Sequence, residues 1–171
     1  EIPEDILNTW KKIGERGYSL EKKWSSNLNK KNSKIRKELE LIQNNINLNN
    51  LDSLINAEKE KYFKEKPSKA TRECSSMTIE AVTKILPEII GGSADLSGSN
   101  NTKTKNSKII SSKDFNGNYI HYGVREHGMA AAMNGLALYG GLIPYGGTFL
   151  IFSDYCKPSI RLSALMGLKV I

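Results

Sequence analysis

A chain of 171 residues, 39% of them apolar, can form one modest domain or parts of two. Its net charge of +7 is dispersed: residues 1–66 carry 14 basic and 11 acidic groups, and the rest carry 11 and 7. With no dense basic arm, and with lysine far outnumbering arginine, nucleic-acid binding is not expected. No apolar run approaches the about 20 residues a membrane helix needs.

The chain opens on Glu-Ile-Pro-Glu-Asp, which is neither a signal peptide nor a transit peptide and has no initiator methionine. It reads as the interior of a longer, cytoplasmic protein. Residues 1–66 are polar and helix-like. Pro3 followed by Glu4 and Asp5 suits a helix start, and Ile6, Leu7, Trp10 and Ile13 then share one face. A second segment starts at Leu20 and holds Trp24 and Leu28. A third has Ile35, Leu39, Ile42 and Ile46 at helical spacing. Asn44 to Asn50 is Asn-rich and breaks the regularity.

Composition shifts near Pro67, which places a domain boundary at residues 64–70. Beyond it the spacing predicts a helix over 75–87 stopped by Pro87, and a short buried strand over 88–92 ending in glycine. A small-residue helix over 126–140, a strand over 142–146, a helix over 148–166 and a strand opening at 168–171 follow. Helices alternating with short apolar strands predict an α/β fold with a parallel sheet after a helical N-terminal region. Catalytic loops in such sheets sit at the carboxyl ends of strands, and the glycines at 91, 92, 146 and 147 fall at two such ends.

Glu126 opens the helix after His121-Tyr-Gly-Val-Arg. It reads either as an acid favoured by the helix dipole or as a carboxyl in an apolar site, suited to sharing a proton with a ligand nitrogen. Phe149, Phe152 and Tyr155 recur every three residues, either as core packing or as a flat pocket for a ring-shaped cofactor. The turn from Gly91 to Asn100 is either a plain loop or a source of hydroxyls and amides for a phosphate. Arg72 is either a phosphate fork or a surface cation. His121 and His127, the two histidines, have no metal-ligand spacing and read as structural or supporting residues. Cys74 and Cys156 lack CxxC or metal spacing and read as free thiols in a reducing compartment.

Four stretches in register carry a strong resemblance: Lys69-Ala-Thr-Arg72, Leu86-Pro-Glu-Ile-Ile-Gly-Gly-Ser-Ala-Asp-Leu96, His121-Tyr-Gly-Val-Arg-Glu-His-Gly-Met129 and Pro144-Tyr-Gly-Gly-Thr-Phe-Leu-Ile-Phe152. Together they resemble transketolase, firmly from residue 67 and more loosely over 25–66. The resemblance implies that residues 1–66 are the helical end of a diphosphate-binding domain and its linker. Residues 67–171 would be the first part of the pyrimidine-binding domain of a thiamine-diphosphate enzyme.

Residue by residue, Glu126 matches the glutamate that hydrogen-bonds the aminopyrimidine of thiamine diphosphate and stabilises its imino tautomer. Phe152 matches the aromatic that stacks on that ring, and Phe149 and Tyr155 match its neighbours. Arg72 and Ser99 match residues holding the substrate's sugar phosphate, and Asp95 matches an acid near the cofactor. The implied reaction moves a two-carbon ketol unit from a ketose phosphate to an aldose phosphate in the pentose phosphate pathway.

The implied Mg2+ is held through a Gly-Asp-Gly…Asn motif that these 171 residues do not contain, so metal ligands are expected outside this chain. The cofactor is expected at a homodimer interface, and this chain alone is expected to be inactive. Two alternatives differ in class. One is another thiamine-diphosphate enzyme, such as a deoxyxylulose-phosphate synthase or a 2-oxoacid dehydrogenase subunit. The other is a non-catalytic, transketolase-like module.

Overall fold

The computed structural model describes residues 2–44, 46 and 48–171, with backbone only at 41–44. Asn45 and Asn47 of the Asn-rich stretch, and the side chain of Ile42, lie outside the described residues. The chain divides into two compact units, Glu1–Leu41 and Ile42–Ile171.

In the first unit α1 (Glu4–Asn29) runs 26 residues without a break. The segments expected to begin at Pro3 and Leu20 are therefore one helix. Gly14 and Gly17 lower its propensity by about 1 kcal/mol each, but neither removes a backbone hydrogen bond as a proline would. Helix α2 (Ser33–Asn44) starts where the Asn32 Oδ1 accepts the Ile35 N–H at 2.9 Å, an N-cap bond that fills an otherwise orphaned donor.

The second unit contains α3 (Leu51–Glu65), α4 (Thr71–Val82), β1 (Ile89–Ser93), the one-turn α5 (Ser97–Asn100) and β2 (Tyr119–His121). It continues with α6 (Glu126–Tyr139), β3 (Ile143–Gly147), a 3-10 turn (Leu150–Phe152) and α7 (Ser153–Leu165). The three strands are parallel, in the order β2-β1-β3. This is the α/β parallel sheet that the alternation of elements predicts.

Several boundaries moved for identifiable reasons. Helix α4 starts at Thr71, four residues before the expected start, because the Glu73 carboxylate accepts the Ala70 N–H at 3.0 Å and secures the first turn. That bond, followed by Lys69, holds the Glu73 carboxyl below its usual range. The helix ends at Val82, ahead of Pro87, as tighter bonds take over: Lys84 N–H to Ala81 O at 3.3 Å and Ile85 N–H to Val82 O at 3.1 Å. Strand β2 is three residues long, too short for an alternating pattern to reveal it. Residues 168–171 form no strand, yet Ile171 already pairs with β3. Its N–H donates to Pro144 O at 3.0 Å, and its carbonyl accepts from Gly146 N–H at 2.9 Å.

Gly91 and Gly92 lie inside β1, not after it, facing Tyr119 and Ile120 on one side and Tyr145 and Gly146 on the other. Successive strand residues point to opposite faces, and each glycine lets a tyrosine ring lie flat across the strand. A Cβ at Gly91 would sit 1.8 Å from Tyr145 Cζ, and one at Gly92 would sit 2.2 Å from Tyr122 Cε2. Leu86, Ile89 and Tyr145 form one apolar cluster, joined by Ile79 and Val82 of α4 and by Leu51 of α3. Ala94, Met129 and Met133 form another, which brings α6 onto the sheet. Both methionine sulfurs lie within 3.0 Å of where a Gly146 Cβ would be. Helix and sheet thus approach closely at the end of β3, where the candidate site begins.

Candidate active site

The site forms at the carboxyl end of the sheet. Arg72, in the first turn of α4, and Ser99, on the one-turn α5, both line a cleft of about 880 Å³. Its apolar lining includes Ile79, Val82, Ile89 and Tyr145, and Thr148, Phe149 and Ser153 line it as well. Among the described residues that line it, Arg72 is the one charged side chain, and threonine and serine hydroxyls supply most of the remaining polar groups. A single cation amid hydroxyls, with no carboxylate, suits a polyhydroxylated anion.

Phe149, Phe152 and Tyr155 form a ladder. Phe149 and Phe152 stack at 5.9 Å with planes 22° apart, and Phe152 and Tyr155 stack at 6.1 Å and 27°. The expected single helix over 148–166 is instead a 3-10 turn followed by α7, and this accounts for the stacking of Phe149 on Phe152. A 3-10 turn has three residues per turn, so side chains at i and i+3 eclipse. The Phe152 N–H to Phe149 O bond, 2.9 Å, closes that turn. Phe149 remains 39% exposed and Tyr155 64%, leaving aromatic surface for a flat ring.

Glu126 occupies the first turn of α6 and is half-buried. Burial, and after it the charge of Glu126, push the Cys156 thiol above its usual range. The second cause puts the Glu126 carboxylate within electrostatic reach of Cys156, whose thiol donates to the Phe152 carbonyl at 3.9 Å. Glu126 opens α6 and the ladder leads into α7, two helices joined by hydrogen bonds linking Asn134 to Ser159 and Ser163. Glu126, Phe152 and Tyr155 do not line the cleft itself; the ladder meets it through Phe149. Planar aromatic faces on α7 and its preceding turn, with a carboxylate at the start of the helix packed on it, are the group types the aminopyrimidine half of thiamine diphosphate calls for: rings to stack, and an oxygen to hold a proton. Asp95 is exposed and sits in the left-handed region, φ 66°.

Two sets of residues passed unnoticed in the sequence. The first joins α6 to α7. Asn134 Nδ2 donates to Ser159 O at 3.0 Å, Ser163 Oγ donates to Asn134 Oδ1 at 2.5 Å, and Ser159 Oγ meets His127 Nδ1 at 3.2 Å. His127 therefore has the supporting part expected of it. His121 is exposed and meets Tyr119 edge-on at 5.2 Å. The signal that could have found Asn134 is a polar residue amid the Met and Ala positions of α6. These bonds fix the helix bearing Glu126 against the helix bearing Tyr155. Asn134→Ala leaves buried polar groups unpaired and is expected to lower stability by about 1–3 kcal/mol, measured by denaturant unfolding of the full-length protein.

The second set lies under the cleft. Tyr145 donates its hydroxyl to Thr102 O at 2.8 Å, and Tyr119 OH meets Thr102 Oγ1 at 2.8 Å. Burial pushes the Tyr145 phenol up to about 12. A value raised on folding means its stabilisation is intact below about pH 10 and is lost as pH climbs toward about 12. Tyr145→Phe is expected to flatten that alkaline loss in a stability-against-pH profile.

With this geometry in view, the comparison with known proteins is direct. The family model described as transketolase, pyrimidine binding domain, matches residues 67–171. The chain belongs to the transketolase family. Transketolase of Cereibacter sphaeroides is 48% identical over 170 residues, 99% of this chain and 25% of that protein. The chromosomal transketolase of Cupriavidus necator is 60% identical over 102 residues, 60% of this chain and 15% of that protein. Among solved structures, transketolase from Campylobacter jejuni matches with a TM-score of 0.67 and 32% identity, covering 99% of this chain and 24% of that one. The Pichia stipitis transketolase solved with sedoheptulose-7-phosphate matches at 0.59 and 44% identity, covering 61% and 16%. The chain spans about a quarter of the curated transketolases it matches from end to end. Its sheet and helices have the transketolase pyrimidine-domain fold. Among the described residues no helix is long and apolar enough to cross a membrane.

Proposed function

We propose that the full-length protein transfers a two-carbon ketol unit from a ketose phosphate to an aldose phosphate, using thiamine diphosphate and Mg2+, within the pentose phosphate pathway. One observation carries this reading: a single cleft is lined both by a lone cation among hydroxyls and by the first ring of the aromatic ladder. That lining can accommodate a sugar phosphate together with the edge of a flat cofactor ring.

When bound, thiamine diphosphate supplies the carbon nucleophile that breaks and remakes a sugar carbon–carbon bond. Phe152, with Phe149 and Tyr155 stacked against it, would supply the aromatic wall that holds the aminopyrimidine. Glu126 holds a proton at a ring nitrogen. Arg72 forks onto the substrate phosphate and Ser99 donates to it. Asp95 lies near the cofactor with no assigned step. Residues 67–171 are read as the first part of the pyrimidine-binding domain, and 1–66 as the helical end of the diphosphate-binding domain. The metal ligands lie outside this chain, so the chain alone is inactive.

A homodimer with the cofactor at its interface fits the apolar surface left open beside the ladder, where Leu150 is 88% exposed and Ile151 69%. The expected compartment is the cytoplasm.

A donor panel on the full-length protein tests the reading. Transfer from ketose phosphates, dependent on thiamine diphosphate and Mg2+, is the expected result. A strict requirement for pyruvate as donor, or no binding of thiamine diphosphate, overturns it.

A further inference from the structure

We propose that Asn100 is the positioning residue of the phosphate subsite: it holds Ser99 in the cleft with Arg72 and so sets the preference for phosphorylated donors. The inference rests on the sugar-phosphate reading above and adds a residue to it.

The segment from Ser93 to Thr102 is one in which the backbone departs from its usual basins. Asp95, Leu96 and Asn101 all take positive φ, at 66°, 52° and 55°. Asp and Asn tolerate the left-handed region, but Leu96 enters it at a cost. Such a segment keeps its shape only if something outside the backbone holds it.

The Asn100 amide does this with every hydrogen-bonding group it has. Nδ2 donates to Ser93 Oγ at 2.7 Å and to Asp95 O at 3.4 Å. Oδ1 accepts from Thr102 N at 3.3 Å and from Thr102 Oγ1 at 2.8 Å. Since the Thr102 hydroxyl spends its one proton on Asn100, Tyr119 is the donor in the Tyr119–Thr102 bond.

The segment is thereby tied to all three strands. Ser93 belongs to β1, and its Oγ also reaches Asp95 O and, at 3.3 Å, Gly147 O of β3. Thr102 is bonded by Tyr119 of β2 and Tyr145 of β3. Ser99 is the residue immediately before Asn100, and its N–H is bonded to Leu96 O at 2.8 Å, inside the same turn. With its amide fully used, Asn100 has no donor left for a ligand, so it acts through Ser99 and not by contact.

The test compares a ketose phosphate with its unphosphorylated counterpart as donor, using the full-length holoenzyme and its Asn100→Ala variant. The ratio of kcat/KM values, phosphorylated over unphosphorylated, is expected to fall about ten-fold, with the loss in KM and not in kcat. That is the scale of one misplaced hydrogen bond to a charged group. Inhibition by inorganic phosphate is expected to weaken in parallel.

Should Asn100→Ala not fold, Ser93→Ala removes the acceptor of the 2.7 Å bond, together with the Ser93 bonds to Asp95 O and Gly147 O, and carries the same expectation. An unchanged ratio, or equal losses on both donors, overturns the proposal. Arg72→Leu separates the two levels. If it too leaves the ratio unchanged, the phosphate reading itself fails. If it lowers the ratio while Asn100→Ala does not, only the part given to Asn100 fails.

Discussion

Glu126→Gln is expected to lower kcat of the full-length protein at least about a hundred-fold, the scale lost when a positioned proton carrier is removed. Glutamine matches glutamate in size and can still hydrogen-bond, but it cannot exchange a proton with a ring nitrogen at neutral pH. The substitution discriminates between the two roles open to an acid at the start of α6. An acid serving only the helix dipole contributes about 0.3–1 kcal/mol to stability, so its loss would leave turnover nearly intact. An acid serving the cofactor would leave the fold nearly intact and remove turnover. Thiamine diphosphate affinity, followed by quenching of protein fluorescence, supplies a readout that does not depend on turnover and is expected to weaken. Wild-type kcat with a slightly lowered melting temperature would return Glu126 to the dipole role.

The largest expected effect on stability comes from Gly91→Ala. The new Cβ would lie 1.8 Å from Tyr145 Cζ and 2.2 Å from its Oη. Tyr145 cannot simply swing aside, because it is buried and its hydroxyl is bonded to Thr102 O at 2.8 Å. Either β1 and β3 separate, breaking the register Gly91↔Tyr145, or the ring leaves its pocket and loses that bond. Overpacking of this kind, with a hydrogen bond lost as well, is expected to cost about 3 kcal/mol or more. Denaturant unfolding measures it. Gly91→Ala combined with Tyr145→Ala should recover part of the loss, since the smaller residue vacates the space. A single variant as stable as the wild type would contradict the observed packing.

The candidate residues came from the sequence. Arg72, Glu126 and the three aromatics stood out as residue types able to do chemistry, and Ser99 entered through the family resemblance. Four motifs in register pointed to one family, and the family comparison agrees. The alternation of helices with short apolar stretches indicated the parallel sheet, because buried parallel strands read as brief apolar runs. Less legible was anything that depended on exact turn geometry. The ladder was foreseen as one helical face, yet its stacking arises from a 3-10 turn that eclipses Phe149 and Phe152. Nothing in a spacing of three distinguishes that turn from an α-helix. Strand β2 was missed because three residues are too few to show a period.

What the residues by themselves determined, then, is the chemistry on offer and the alternation of helices with short apolar strands, since both follow from side-chain type and short-range periodicity. The tertiary structure alone decided which of those groups share a space. Arg72, Ser99 and Phe149 meet in one cleft because parallel strands with crossover connections bring the ends of distant segments to one edge of the sheet. Asn100 and Asn134, unremarkable in sequence, became junctions because an amide's worth lies in partners up to 29 residues away along the chain, and only folding brings those partners within hydrogen-bonding distance.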